Sequence, residues 1–544
     1  MRFFASLALA AASVATLAQA QPRQPAAEPV FTPEGFRAHV EFLSDDMLEG
    51  RDTGTRGYDI AARYVATRFQ SLGLRPGVGT NWYQQVPFAL ANLGGQPPRV
   101  TIGGRAFTHG QEVLVGPTAL EAAQTVEAPV VFVGYGLDSP ANGFDDYRGL
   151  DVRGKMVAVL SGAPKGTPSE MAAHLNAEKS RMAEARGAIG VVTIPTRADA
   201  ERRPWARRVE LSKGPSMNWI GTDGRPFSRA PGIRTGATLD TAAAEALFAG
   251  SRRPLSAILD DAAREGGKPK GFALRPTVKI ERQSEISRIS SPNVLAILPG
   301  SDPALAGEYI LLMAHLDHEG VDPNLAGDKI YNGAMDNATG TATLLEVARA
   351  MVQSGARPKR SILFAAVTAE EDGLLGSEYL ARNPVVGNGK VVGVVNLDMP
   401  VLLYDFQDVI AFGADHSTLG PIVSRAVAQA NVKLSPDPLP QENLFTRSDH
   451  YRFVQAGVPS VFLMTGFAGE GDQRFQDFLK THYHKPSDQT DLPFDWNAAA
   501  KFARINYLIA REIADAPQAP RWYADSFFGK AVGGDQPRAT RTAR

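Results

Sequence analysis

From residue 291 onward the chain alternates short, unbroken apolar runs with amphipathic stretches, and few folds accept that pattern. Residues 293–298 (NVLAIL), 309–314 (YILLMA), 361–367 (SILFAAV), 391–397 (VVGVVNL), 408–412 (DVIAF) and 459–464 (PSVFLM) are rich in β-branched residues. Residues 339–352, 417–430 and 497–513 instead carry the spacing of amphipathic helices. A strand with one solvated face would alternate polar and apolar residues, whereas continuous apolar strands need cover on both faces. The expected fold class is therefore α/β, a largely parallel mixed sheet sandwiched by helices.

In such sheets ligands bind beyond the carboxyl ends of the strands. The residues after each run form a chemically coherent set: His315-Leu316-Asp317 after YILLMA, Glu370-Glu371 after SILFAAV, Asp398 after VVGVVNL, and His484 beyond PSVFLM. Asp336 lies in a turn-rich stretch, YNGAMDNATG, at the entrance to a helix. Imidazole and carboxylate donors without thiolate suit hard or borderline divalent metals in hydrolytic sites. Two ions about 3.5–4 Å apart need a bridging carboxylate and roughly two further protein ligands each. His315, Asp336, Glu371, Asp398 and His484 satisfy that count. Any one of them alone would be read as a solvated cap or surface residue; their coincidence at strand ends points to metal.

The stretches AHLDH (314–318), YNGAMDNATG (331–340), TAEEDGLLGSEYL (368–380), VNLDM (395–399), SDHYRFVQAGVP (448–459) and YHKPSDQTD (483–491) occur in order. With EGRDTGTRGYDIAARYVATRF (49–69), they resemble the co-catalytic zinc peptidases related to glutamate carboxypeptidase, secreted bacterial aminopeptidases and the transferrin receptor. The resemblance implies a zinc-aminopeptidase-like fold with two Zn²⁺ ions bridged by Asp336. His315 and Asp398 would complete one set, Glu371 and His484 the other. Asp317 would hold the second nitrogen of His315, Glu370 would act as general base, and Tyr483 would stabilise the tetrahedral intermediate. A cis peptide would follow Asp336. His318 and His450 would sit beside the site. Two departures stand out: Met335 replaces a further acidic residue, and the loop 466–482 is long.

The implied activity is that of an aminopeptidase acting on peptides with a free N-terminus. A carboxypeptidase or glutaminyl cyclase on the same scaffold, or a non-catalytic receptor-like binding protein, are the alternatives. The acidic pair divides its duties: Glu371 would hold metal and Glu370 would move a proton, leaving Asp372 as a solvated turn residue.

The remaining sequence frames this domain. With 544 residues the chain exceeds one ordinary core. Residues 1–20 carry Arg2, an apolar stretch and an A-x-A site, the pattern of a cleaved secretory signal. Export to the periplasm or the exterior is therefore expected, and the absence of cysteine means that packing and metal must stabilise the fold without disulfides. Lys+Arg number 57 and Asp+Glu 58, so neither nucleic acid nor stable membrane association is expected, and the oligomeric state is left open. Residues 21–106 begin the peptidase domain, with Ile60, Tyr64, Val65 and Phe69 expected on one helical face. Residues 107–268 form a β-rich insertion resembling a protease-associated domain, with rim loops over 198–234. The catalytic domain resumes over 269–515, and the polar, basic tail 516–544 is expected to be disordered.

Overall fold

The structure is a computed structural model that describes residues 28–541, so the leader expected over 1–20 lies outside the described residues. Four central strands are parallel, in the order Ser460–Thr465, Lys390–Leu397, Glu308–His315, Ser361–Val367. Antiparallel strands flank them, Asp408–Phe412 on one side and the end of Phe272–Leu298 on the other. This is the largely parallel mixed sheet that the apolar runs require. Successive residues of Glu308–His315 enter opposite cores: Ile310, Leu312 and Ala314 pack on one face, Leu311 and Met313 on the other. Helices Pro33–Leu43, Thr339–Gln353 and Trp496–Asp515 cover the first face; the second receives Leu380 and Phe453 from Leu375–Arg382 and His450–Gln455.

Ahead of the sheet, Arg56–Ser71 buries Tyr58, Ala61, Ala62, Val65, Ala66 and Phe69. Ile60 falls off that stripe and is exposed, contrary to the expected face, because the small alanines let the helix approach along a neighbouring line. Arg51, just before this helix, is 1% exposed. Its guanidinium donates to the carbonyls of Leu43, Leu316 (3.0 Å), Asn332 (2.5 Å) and Gly333 (3.0 Å). One side chain thus ties the N-terminal segment to two loops of the catalytic domain.

The insertion has its own core, wider than the expected 107–268: it takes in Val100 and Ile102 before and Phe272, Val278 and Ile280 after. The cause is the strand Phe272–Leu298, 27 residues long, which runs without a turn from the second sheet into the first. Strands Ala123–Phe132, Met156–Leu160, Gly190–Ile194 and Thr235–Leu239 pair in parallel, and helices pack on them, so this unit is α/β rather than simply β-rich. The stretch expected as rim loops holds helices Arg197–Arg202 and Trp205–Leu211 and a strand, Ser216–Trp219, paired with Tyr83–Leu93. From the same stretch Arg229 grips Glu378 through two hydrogen bonds of 2.8 and 2.9 Å.

The tail is ordered as far as residue 541, against the expectation of disorder. Aromatic anchors supply what its polar composition concealed: Trp522 is 1% exposed and donates Nε1–H to the Gly457 carbonyl at 2.8 Å, and Phe528 is fully buried. Phe528 packs against Phe445, His416 and the insertion's His174, so the tail is wedged between the two cores.

Two stability measurements test these anchors. Arg51→Met should strip a charged donor from four buried carbonyls and cost on the order of 3 kcal/mol in urea unfolding. Trp522→Ala should cost about 3–5 kcal/mol by the same assay; an unchanged unfolding midpoint would mean that the tail adds no packing.

Candidate metal centre

The five residues expected as ligands meet at the carboxyl edge of the sheet. His315 Nε2 lies 3.3 Å from Asp336 Oδ1 and 3.3 Å from Asp398 Oδ1. His484 Nε2 lies 3.2 Å from Asp336 Oδ2 and 3.2 Å from Glu371 Oε2. The two oxygens of Asp336 therefore face separate donor sets. Ligand atoms around a tetrahedral zinc with bonds of 2.0–2.1 Å are spaced about 3.3–3.4 Å apart, the spacing that His315 and His484 each keep from two carboxylates; among the described residues, the donors that lie within 4.8 Å of one another are His315, Asp336 and Glu371, and Glu319, Glu371 and His484. A single Nε2–H, by contrast, cannot point at two carboxylates at once.

Local backbone explains how the donors converge. Ala369, Met399 and His484, each within two residues of a donor or itself one, hold φ of 55°, 35° and 51°, a region that non-glycine residues occupy only where the surroundings impose it. Gly333 (φ 58°) is required because a Cβ there would lie 2.2 Å from the Asp336 carbonyl and 2.6 Å from the His318 ring. The peptide Asp336-Asn337 is cis, as the resemblance implied.

A layer of contacts orients the donors. His315 Nδ1 lies 3.1 Å from a carbonyl, that of Asp317. Sequence reasoning assigned this contact to the Asp317 carboxylate; in the structure that group instead accepts the Glu371 N–H at 3.2 Å. The tight turn after His315 brings the carbonyl, and not the side chain, back to the ring. Ser448 Oγ donates to Asp398 Oδ2 at 2.6 Å and receives Asn396 Nδ2–H at 2.7 Å. His318 Nδ1 meets Glu371 Oε1 at 2.8 Å. His450 plays no such part: its ring packs between Phe445 and Phe462, and burial pushes its pKa down to about 4.

Sequence reasoning missed Glu319 and Asp488. Glu319 Oε1 stands 3.0 Å from His484 Nδ1. Asp488, fully buried, accepts the N–H groups of Met335 and Asp336 at 2.9 Å each and so fixes the backbone of the shared carboxylate. Both lie in or directly after motifs already singled out, AHLDH and YHKPSDQTD, and being acidic beside a ligand was their only signal. Met335, noted as a departure from the acidic residue that the resembled family often has, is fully buried in the core.

Electrostatics separates the two adjacent glutamates. Burial, reinforced by the charges of Glu371, Asp449 and Asp398 and opposed by His315, lifts Glu370 well above the carboxylate range. Asp336 moves the other way: burial opposes ionisation, but hydrogen bonds to His315 and His484 hold it well below that range. Asp372 lies in a turn, as expected, but is half-buried, and burial and then the Asp52 charge push it up to about 7.

Glu370 lines a cleft together with the donors, Met399, Leu444, Arg447, Phe462, Met464 and Tyr483. The Tyr483 ring lies against His484 with centroids 3.9 Å apart, and burial followed by the charges of Asp336 and Glu371 keeps its phenol protonated. The segment expected as a long loop over 466–482 is mostly the helix Gly471–Thr481, whose Phe475 and Phe478 anchor it and deliver Tyr483 and His484 to the cleft.

Comparison with known proteins bears on the same region. Residues 293–510 match the model of peptidase family M28. The chain is 31% identical over 180 residues to leupeptin-inactivating enzyme 1 of Streptomyces exfoliatus, covering 32% of this chain and 36% of that protein. It is 26% identical over 384 residues to a probable glutamate carboxypeptidase of Arabidopsis thaliana, covering 64% and 49% respectively. The chain thus spans less than half the length of either relative. Among solved structures, an aminopeptidase from Aneurinibacillus sp. strain AM-1 aligns over 90% of this chain and 95% of its own, with 20% identity and a TM-score of 0.48. The matched residues 293–510 carry all five converging donors.

Proposed function

We propose that this protein is an exported aminopeptidase that binds two zinc ions and removes N-terminal residues from peptides. The observation that carries the reading is the division of Asp336, whose two oxygens face His315 and His484 separately. Bound there, two Zn²⁺ ions would supply the Lewis acidity that lowers the pKa of an attacking water and polarises the scissile carbonyl. His315, Asp336 and Asp398 would hold one, and Asp336, Glu371 and His484 the other. Glu370 takes the proton of the attacking water and passes it to the leaving amine, a role that its place on the cleft wall beside the donors suits. The Tyr483 phenol, kept neutral, donates a hydrogen bond to the developing oxyanion.

Met399, Leu444, Phe462 and Met464 give the cleft an apolar wall suited to the side chain of the residue removed. The insertion serves as a rim: its Glu170 pairs with His416 at 2.7 Å and its His174 with the Tyr451 hydroxyl at 2.8 Å, beside the segment that supplies Leu444. One feature favours a second reading, carboxypeptidase action, because the partly exposed Arg447 guanidinium in the cleft could receive a terminal carboxylate. Among the described residues no helix is long and apolar enough to cross a membrane.

Glu370→Gln should lower kcat by about 10²–10⁴-fold while metal analysis still finds the wild-type complement; Glu371→Ala should lose metal. Equal metal loss in both variants would overturn the division of roles. A panel of aminoacyl substrates decides direction: free N-termini should be cleaved and blocked ones spared, whereas cleavage of blocked substrates alone would overturn the aminopeptidase reading.

A further inference from the structure

The two halves of the centre are built differently. On one side His315 is 2% exposed and Asp398 14%, held by the Asp317 carbonyl and Ser448 from within the fold. On the other, His484 is 32% exposed and the carboxylate at its far nitrogen, Glu319, is 40% exposed. The adjacent residues His318 and Glu319 orient both donors unique to this side, His318 through Glu371 Oε1 at 2.8 Å and Glu319 through His484 Nδ1 at 3.0 Å.

We propose that Glu319 is a positioning residue for His484 and sets the metal affinity of the solvent-facing half of the centre. An imidazole offers metal only one nitrogen, and a carboxylate accepting the N–H of the other fixes tautomer and ring direction together. With Nδ1–H directed at Glu319, the Nε2 lone pair points between Asp336 Oδ2 and Glu371 Oε2, each 3.2 Å away. His484 needs this support more than His315 does, because it sits at positive φ on a turn rather than at the end of a strand. Loss of the Glu319 contact leaves the ring free to rotate into solvent, while the buried half keeps its geometry.

The inference rests on the two-metal reading of the site, and zinc titration of the apoprotein against a chromogenic chelator tests the two separately. Wild type should bind two equivalents. Glu319→Ala should weaken one of them by about 10–100-fold, leave the other unchanged, and leave the thermal unfolding of the apoprotein as in wild type. Glu319→Gln, which retains an acceptor for Nδ1–H, should restore most of the lost affinity. Two unchanged equivalents in Glu319→Ala, or equal loss in both variants, would overturn the positioning role. Fewer than two equivalents in wild type would overturn the two-metal reading and this inference with it.

Discussion

The donor-bearing edge of the sheet depends on one buried cation. Arg51 is enclosed by carbonyl oxygens of the N-terminal segment, of the His315 loop and of the loop that leads to Asp336. Burial lowers its pKa to about 10, partly offset by Asp488, Asp317, Asp336 and Glu371, so it stays charged at neutral pH. Carboxylates crowded at one sheet edge repel one another, and a fixed positive charge beneath them counters that repulsion before any metal is present. Charge and hydrogen bonding act together here: the same guanidinium that neutralises the acidic cluster also sets the distance between the loops that carry it.

Above that anchor, the centre arises from strand order. Parallel neighbours Lys390–Leu397, Glu308–His315 and Ser361–Val367 end side by side, so Asp398, His315 and the Glu370-Glu371 pair emerge on one edge at the spacing of adjacent strands. Asp336 and His484 come from irregular segments and need other support. Asp488 gives it to the first and Glu319 to the second, which is why these two acids matter although neither lines the cleft.

Much of this was legible in the sequence. Continuous apolar runs identify buried strands directly, and a donor at the end of such a run has only one place to go. The contacts that orient those donors were not legible, because they join residues distant in the chain: Arg51 to Leu316, Asp488 to Asp336, Glu319 to His484. The part played by Asp317 was misread for a different reason. Residue type suggested its carboxylate, but turn geometry delivered its backbone carbonyl to His315. The tail was misread because a few buried aromatics outweigh many polar residues in deciding order, and average composition hides them. The insertion's boundary was misplaced because the strand Phe272–Leu298 has no break at which to divide the chain.

That strand also has a mechanical consequence. It is paired with Ala123–Phe132 in the second sheet, with Tyr83–Leu93 across the junction and with Ser361–Val367 in the first, so main-chain bonding continues from one body to the other. Bending the insertion away from the catalytic domain would mean snapping a beam rather than turning a hinge. The insertion is therefore held against the first sheet by the main chain itself, whatever side chains stand at the junction.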